Sequence, residues 1–187
     1  RPYLAQEPRG VEYARLLDWT HLQNIADKAA DGVELIVGIG GGIVLDASKY
    51  VALKKEVPLV LVPTIISSGA IIHGVFAKWD GRRTVGTDWP WIDCEHILVD
   101  YDVTLQAPYY LNTAGLGDVL CAYAGMAEWR RSARTGNGPP FDEEAAAPVI
   151  EHHRQIEEGF PKTLAGTGAL TAESIRFIME AVQKRDY

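Results

Sequence analysis

The sequence predicts an α/β fold, a parallel sheet carrying helices, followed by the start of an all-helical domain. Three observations lead there. Residues 34–50, ELIVGIGGGIVLDASKY, read as strand, glycine turn and helix in direct succession. A second apolar strand, Leu59–Val62, comes after one helix, and continuous apolar strands separated by helices pack as a parallel sheet covered on both faces. Strands then stop near residue 99, and helical patterns fill the remainder.

Each element has its own signal. Residues 1–11 hold two prolines and a glycine and read as irregular. Glu12–Ala30 reads as one or two helices, with Leu16, Leu17, Leu22, Ile25 and Ala26 at helical spacing, closed by Asp31-Gly32. Strand Leu35–Val37 enters the glycines, and helix Ile43–Lys55 leaves them with Lys54 and Lys55 at its negative end. Pro58 opens the second strand and Pro63-Thr64 ends it. Residues 64–74, TIISSGAIIHG, then fall at the carboxyl end of that strand, where open α/β sheets bind ligands. Val75–Trp79 and Arg82–Val85 flank Asp80-Gly81 as a β-hairpin. Ile97–Val99 is a further strand, and Asp102–Pro108 a turn or short helix. Tyr109–Arg134, Glu143–Glu158 and Thr171–Lys184 are helices, separated by the loop Gly136–Pro140 and the break Gly159–Pro161. This divides the chain into an α/β domain, 1–105, and the start of a helical domain, 106–187.

Composition narrows the function. Of the residues, 47% are hydrophobic and 23% charged, as in ordinary folded domains. A net charge of −7 argues against general nucleic-acid binding. No apolar run is long enough to span a membrane and no targeting leader is recognised, so a cytoplasmic location is expected. Cys94 and Cys121 lack metal-ligand spacing and are expected to be buried free thiols, which suits a reducing compartment. The aromatic content allows a homo-oligomer, without specifying one.

The glycine turn is the richest signal. Gly40, Gly41 and Gly42 let the backbone approach an anion closely, and the helix behind them offers free N–H groups and a positive dipole end. The spacing is neither G-x-G-x-x-G nor a Walker A loop: it is GxGGGxxxD, with Asp46 one turn into the helix. A bare strand-to-helix turn needs one glycine, so this surplus favours a ligand over a purely structural turn.

Four stretches in order resemble a known superfamily: GGGxxxDxxK at Gly40–Lys49, VPTxxSS at Val62–Ser68, ILVD at 97–100, and APxxLNxAGxGD at Ala107–Asp118. They are similar to the iron-containing alcohol dehydrogenases and dehydroquinate synthases, and most to the glycerol-1-phosphate and glycerol dehydrogenase branch. The resemblance implies a Rossmann-like NAD(P)-binding domain and a helical domain with a divalent metal, Zn²⁺ or Fe²⁺. It implies hydride transfer between a secondary alcohol, a polyol or polyol phosphate, and the nicotinamide. Gly40, Gly41, Gly42 and Asp46 would hold the dinucleotide, Thr64 and Ser67 would line its cleft, and Asp118 would be the first metal ligand. Taken alone, Asp118 reads as a helix-start cap. No catalytic side chain is implied beyond the metal site.

Three departures accompany the resemblance. The family commonly carries a substrate-contacting Asp two residues after Ser67; that position is Gly69, and His73 is the nearby polar substitute. The family's metal-binding histidines lie further downstream. His152 and His153 point about 100° apart on a helix and read as a solvated face rather than ligands. The family's amino-terminal strand, with the residue that selects NAD or NADP, has no counterpart before the glycine turn, so an incomplete member is expected. A phosphorylated substrate needs a cation, for which Lys78, Arg82 and Arg83 in the hairpin are candidates. The alternatives are a nucleotide-binding module without catalysis and a dehydroquinate-synthase-like lyase; Asp118 in place of a Glu, and the lack of a lysine loop after the second strand, count against the lyase.

Overall fold

A computed structural model describes residues 7–86 and 90–185; residues 1–6 of the expected irregular start lie outside this range. The chain forms two compact units, one of Arg1–Pro63 with His73–Val99, the other of Thr64–Ile72 with Asp100–Tyr187. The expected division at 105 places the loop Thr64–Ile72 with the α/β domain, whereas it packs with the helices. The reason is a set of hydrogen bonds to the long helix, described below.

The first unit holds α1 (Trp19–Lys28), β1 (Ile36–Gly40), α2 (Gly42–Lys55), β2 (Leu59–Pro63), β3 (Lys78–Asp80), β4 (Arg83–Gly86) and β5 (His96–Ile97). The strands β1, β2 and β5 form a parallel sheet in the order β1-β2-β5, with Ile36 opposite Leu59 and Leu61 opposite Ile97. Strand β1 starts one residue later than expected and runs through Gly38 to Gly40. Two of its glycines are packing residues. A Cβ on Gly38 would lie 2.4 Å from Ser48 Oγ, and one on Gly40 would lie 2.7 Å from Val44 Cβ. Strand positions two apart thus meet helix positions four apart, and α2 lies directly on the strand.

Helix α2 is buried continuously from Leu45 to Ala52, as suits a helix enclosed by its unit rather than one with a single wet face. Its core partners are Leu22, Ile25, Ala26 and Phe76. Tyr50 joins them through edge contacts with Trp19 and Phe76, at ring separations of 5.2 and 5.6 Å. The other face of the sheet departs from expectation. Leu35, Val37 and Ile39 are 45%, 39% and 56% exposed, so the described residues cover β1 on one face only.

The helix expected over Glu12–Ala30 is shorter. Residues 12–17 are not helical, and Leu16 is exposed. Just before α1 the backbone turns to the hairpin instead: Leu17 carbonyl accepts from Trp79 N at 3.1 Å and Asp18 Oδ1 accepts from Gly81 N at 2.8 Å. These long-range bonds outweigh the local helical pattern. The β3–β4 hairpin forms at Asp80-Gly81 with Gly81 at φ 56°, as its turn chemistry requires.

The second unit is helical: α3 (Tyr101–Gln106), α4 (Tyr109–Arg134), α5 (Glu143–Gly159) and α6 (Ala172–Arg185), with short 3₁₀ turns at Gly69–Ile71 and Phe160–Thr163. Asp100 caps α3 by accepting from Asp102 N and Val103 N, and Asp142 caps α5 in the same way. Helix α6 buries Ile175, Ile178, Ala181 and Val182 along one stripe.

Candidate functional site

The first unit presents the start of α2. Gly41 is its N-cap in extended conformation, no side chain caps it, and the first turn holds no acidic residue. Its positive end is therefore not neutralised locally, which is the electrostatic requirement for holding an anion. Gly41 and Gly42 are half-buried there. Gly40 closes β1 opposite Pro63 and packs on Val44.

Asp46 would place a negative charge one turn behind that end. The fold offsets it: Lys49 Nζ donates to Asp46 Oδ1 at 3.0 Å, and Ala77 N donates to Oδ2 at 3.3 Å. Lys49 is almost fully buried and also donates to Val75 carbonyl at 3.1 Å. Burial pushes the Asp46 carboxyl above its usual value, against the opposing pull of Lys49, and pushes the Lys49 ammonium down. Asp46 thus ties α2 to residues 75–77. Lys49 was no candidate at the sequence level, although its spacing three residues after Asp46 puts the two on one helix face.

His73 lies close enough to Asp46 to stabilise its charge. Lys78 is engaged within its own unit. Its ammonium sits 3.9 Å from the centre of the Trp19 ring, a cation–π contact within the hairpin–α1 packing. Arg82 and Arg83 are exposed.

The second unit carries the remaining candidates. Thr64 and Ser67 are half-buried in the loop that starts it. Asn112, Gly115 and Asp118 lie three residues apart along one face of α4 and grip this loop. Asn112 Oδ1 accepts from Ile66 N at 3.0 Å, and Asp118 Oδ2 accepts from Gly69 N at 2.8 Å. A Cβ on Gly115 would fall 2.4 Å from the Ile66 carbonyl oxygen. Asp118 lies well inside α4, so it is not the helix-start cap it resembles in isolation.

Asp118 has a further partner that sequence reasoning missed. Arg185 Nη1 donates to Asp118 Oδ2 at 2.7 Å and to the Asp118 carbonyl at 3.2 Å. The signal was present in α6: Arg185 continues the buried stripe of Ile175, Ile178 and Val182 at helical spacing. As the side chains stand, a guanidinium and a backbone amide already satisfy the Asp118 carboxylate, so a divalent metal would have to displace Arg185 to reach that oxygen. Among the described residues no group of three or more His, Cys, Asp or Glu could hold one.

His152 and His153 are not a solvated face. His153 stacks on Tyr123 at 4.2 Å and lies 3.7 Å from a Glu157 carboxylate oxygen, while His152 Nε2 is buried with no hydrogen-bond partner among the described residues. The helix faces its neighbours there, so both rings turn inward. The cysteines are free, but only Cys94 is partly buried; Cys121 is exposed, on the side of α4 away from Leu116 and Val119.

The parallel sheet, glycine turn and following helices define a Rossmann-like α/β unit joined to a helical one. The iron-containing alcohol dehydrogenase family profile matches residues 5–108. Glycerol-1-phosphate dehydrogenase (NAD(P)+) from Methanosphaerula palustris is 32% identical over 143 residues, 69% of this chain and 39% of its own length. Its counterpart from Methanococcoides burtonii is 31% identical over 118 residues, 62% of this chain and 32% of its own. Among solved structures, a probable glycerol dehydrogenase from Sinorhizobium meliloti 1021 superposes with a TM-score of 0.70 at 22% identity, over 92% of this chain and 50% of that one. The chain belongs to the iron-containing alcohol dehydrogenase family. It spans about two fifths of the length of the first of these curated relatives.

Proposed function

We propose that this chain is the cofactor-binding part of an NAD(P)-linked dehydrogenase that oxidises glycerol 1-phosphate or a related polyol. The observation that supports this most is the uncapped start of α2 at Gly41, free of acidic residues in its first turn, at the end of a glycine-rich strand. The relatives named above act, by their names, on glycerol 1-phosphate or glycerol with NAD(P). In this reading the amides of Gly41 and Gly42 receive a dinucleotide phosphate, and Gly38 and Gly40 bring α2 close enough to aim them. Asp46 is a positioning residue, its charge offset by Lys49, and Thr64 and Ser67 are cofactor-contact candidates on the strength of the family resemblance. His73 is the polar candidate toward substrate, and Lys78 drops behind it because its ammonium is engaged on Trp19.

The reaction removes a hydride from the carbinol carbon to the nicotinamide and a proton from the hydroxyl, giving a ketone. A dependence on Zn²⁺ or Fe²⁺ belongs to the same proposal. This chain offers Asp118 toward it, but holds that carboxylate on Arg185. A cytoplasmic location fits the two free thiols.

A second reading is a nucleotide-binding module without catalysis. The Asp118–Arg185 pair and Gly69 favour it. The test is calorimetric titration of NAD(H) and NADP(H) into the chain, with Gly42→Asp as control. Saturable binding abolished by Gly42→Asp supports a dinucleotide site. Turnover of glycerol 1-phosphate by the protein then separates the dehydrogenase from the module. An absence of binding at millimolar cofactor would sink both.

A further inference from the structure

We infer that Arg185 is a built-in counter-cation for Asp118, and that Arg185 and a divalent metal ion are mutually exclusive partners of that carboxylate. The inference takes up the proposed ligand role of Asp118 and specifies what stands against it.

Three observations carry it. First, one oxygen does the work: Asp118 Oδ2 accepts from both Arg185 Nη1, at 2.7 Å, and Gly69 N, at 2.8 Å. A cation approaching this oxygen meets a positive guanidinium already in hydrogen-bonding contact. Second, the contact is built rather than incidental. The Arg185 and Asp118 side chains are only 20% and 35% exposed, and the same Nη1 also bonds the Asp118 carbonyl. Helix α6 delivers Arg185 by packing against α4: Ile178 reaches the surface of Gly115, where a Cβ would lie 3.0 Å from its Cγ2. Third, the carboxylate has a task without metal. It holds the Gly69 amide, and Asn112 holds the Ile66 amide nearly two turns earlier on α4. Arg185 fixes the Asp118 rotamer that does this. It is therefore a positioning residue for the 64–72 loop, and its charge satisfies Asp118 in the place a metal would take.

The test is paramagnetic relaxation by Mn²⁺, read at the Gly69 amide in nitrogen-15 spectra of the full chain with no cofactor present. In the wild type this peak persists at millimolar Mn²⁺. In Arg185→Gln the peak is lost, and in the double variant Asp118→Asn/Arg185→Gln it returns. Loss of the peak in the wild type overturns the inference, as does its persistence in Arg185→Gln. Should Arg185→Gln give no dispersed spectrum, Arg185→Met decides: it keeps the length of the apolar stem and removes the charge, so loss of the peak supports the inference and its persistence overturns it. Because no nucleotide is involved, either result stands apart from the cofactor titration.

Discussion

Asn112 Oδ1 accepts the Ile66 amide at 3.0 Å across 46 residues of sequence. The other end of the same side chain, Nδ2, donates to the Thr104 carbonyl at 2.7 Å, and the residue is fully buried. One amide thus pins a loop and α3 to α4. Asn112→Ala leaves a buried donor and a buried acceptor unsatisfied and is expected to cost about 2–4 kcal/mol. A urea titration following helical circular dichroism checks it; an unchanged midpoint would refute the role.

Gly115 and Gly117 are two residues apart in α4 and should respond to alanine in opposite directions. A Cβ at Gly115 collides with the Ile66 carbonyl, while at Gly117 it meets nothing within 4 Å. Gly115→Ala is expected to destabilise by about 1–3 kcal/mol. Gly117→Ala should stabilise by up to about 1 kcal/mol through helix propensity. Paired thermal melts read the two signs.

The buried pair Asp46–Lys49 makes a prediction by single and double substitution. Lys49→Met strands a buried carboxylate and should cost about 3–5 kcal/mol near neutral pH. Asp46→Asn/Lys49→Met removes both charges, keeps an oxygen for the Ala77 amide, and should cost less than the single change. The single variant also has a pH signature. Burial already raises the Asp46 carboxyl, and without Lys49 it rises further. A raised carboxyl favours the folded state when protonated, so the deficit of Lys49→Met shrinks as pH falls toward about pH 4 and grows as pH rises through the folded value. Urea midpoints across that range check the sign.

His152 gives a second pH dependence, of opposite sense. Burial, with the Lys184 charge on α6 adding to it, lowers its pKa below the usual 6.5. The folded state then prefers the neutral ring while the unfolded chain protonates first. Stability is full above about pH 6.5 and falls as pH drops through the folded value. His152→Leu should flatten that part of the melting-temperature profile.

Much of the fold was legible in the sequence for local reasons. The bounds of α4 are those expected because Pro108 precedes it and the Gly136–Pro140 loop follows it. The hairpin follows from Asp80-Gly81. The stretch 12–17 has helical spacing but is not helical, because the backbone partner of Leu17, Trp79, lies far along the chain. The site divides in the same way. The glycine turn is a local pattern and was visible. Its finer partition was not, since whether Gly38 and Gly40 serve packing depends on Ser48 and Val44 lying across from them. Arg185 is not legible because the sequence pattern ends the last helix at Lys184, whereas α6 runs on to Arg185, and its partner Asp118 lies 67 residues away.

The division of the chain into units that exchange segments bears on how the protein is made. The loop Thr64–Ile72 belongs with a helical segment that begins at Asp100, and its anchors on α4 lie 46 and 49 residues further along. At translation rates of about 5–20 residues per second, that loop leaves the ribosome seconds before anything exists to hold it. Neither unit corresponds to an uninterrupted stretch of the gene, so a cut at Pro63 or at Val99 would give two pieces of which at least one lacks part of its own packing.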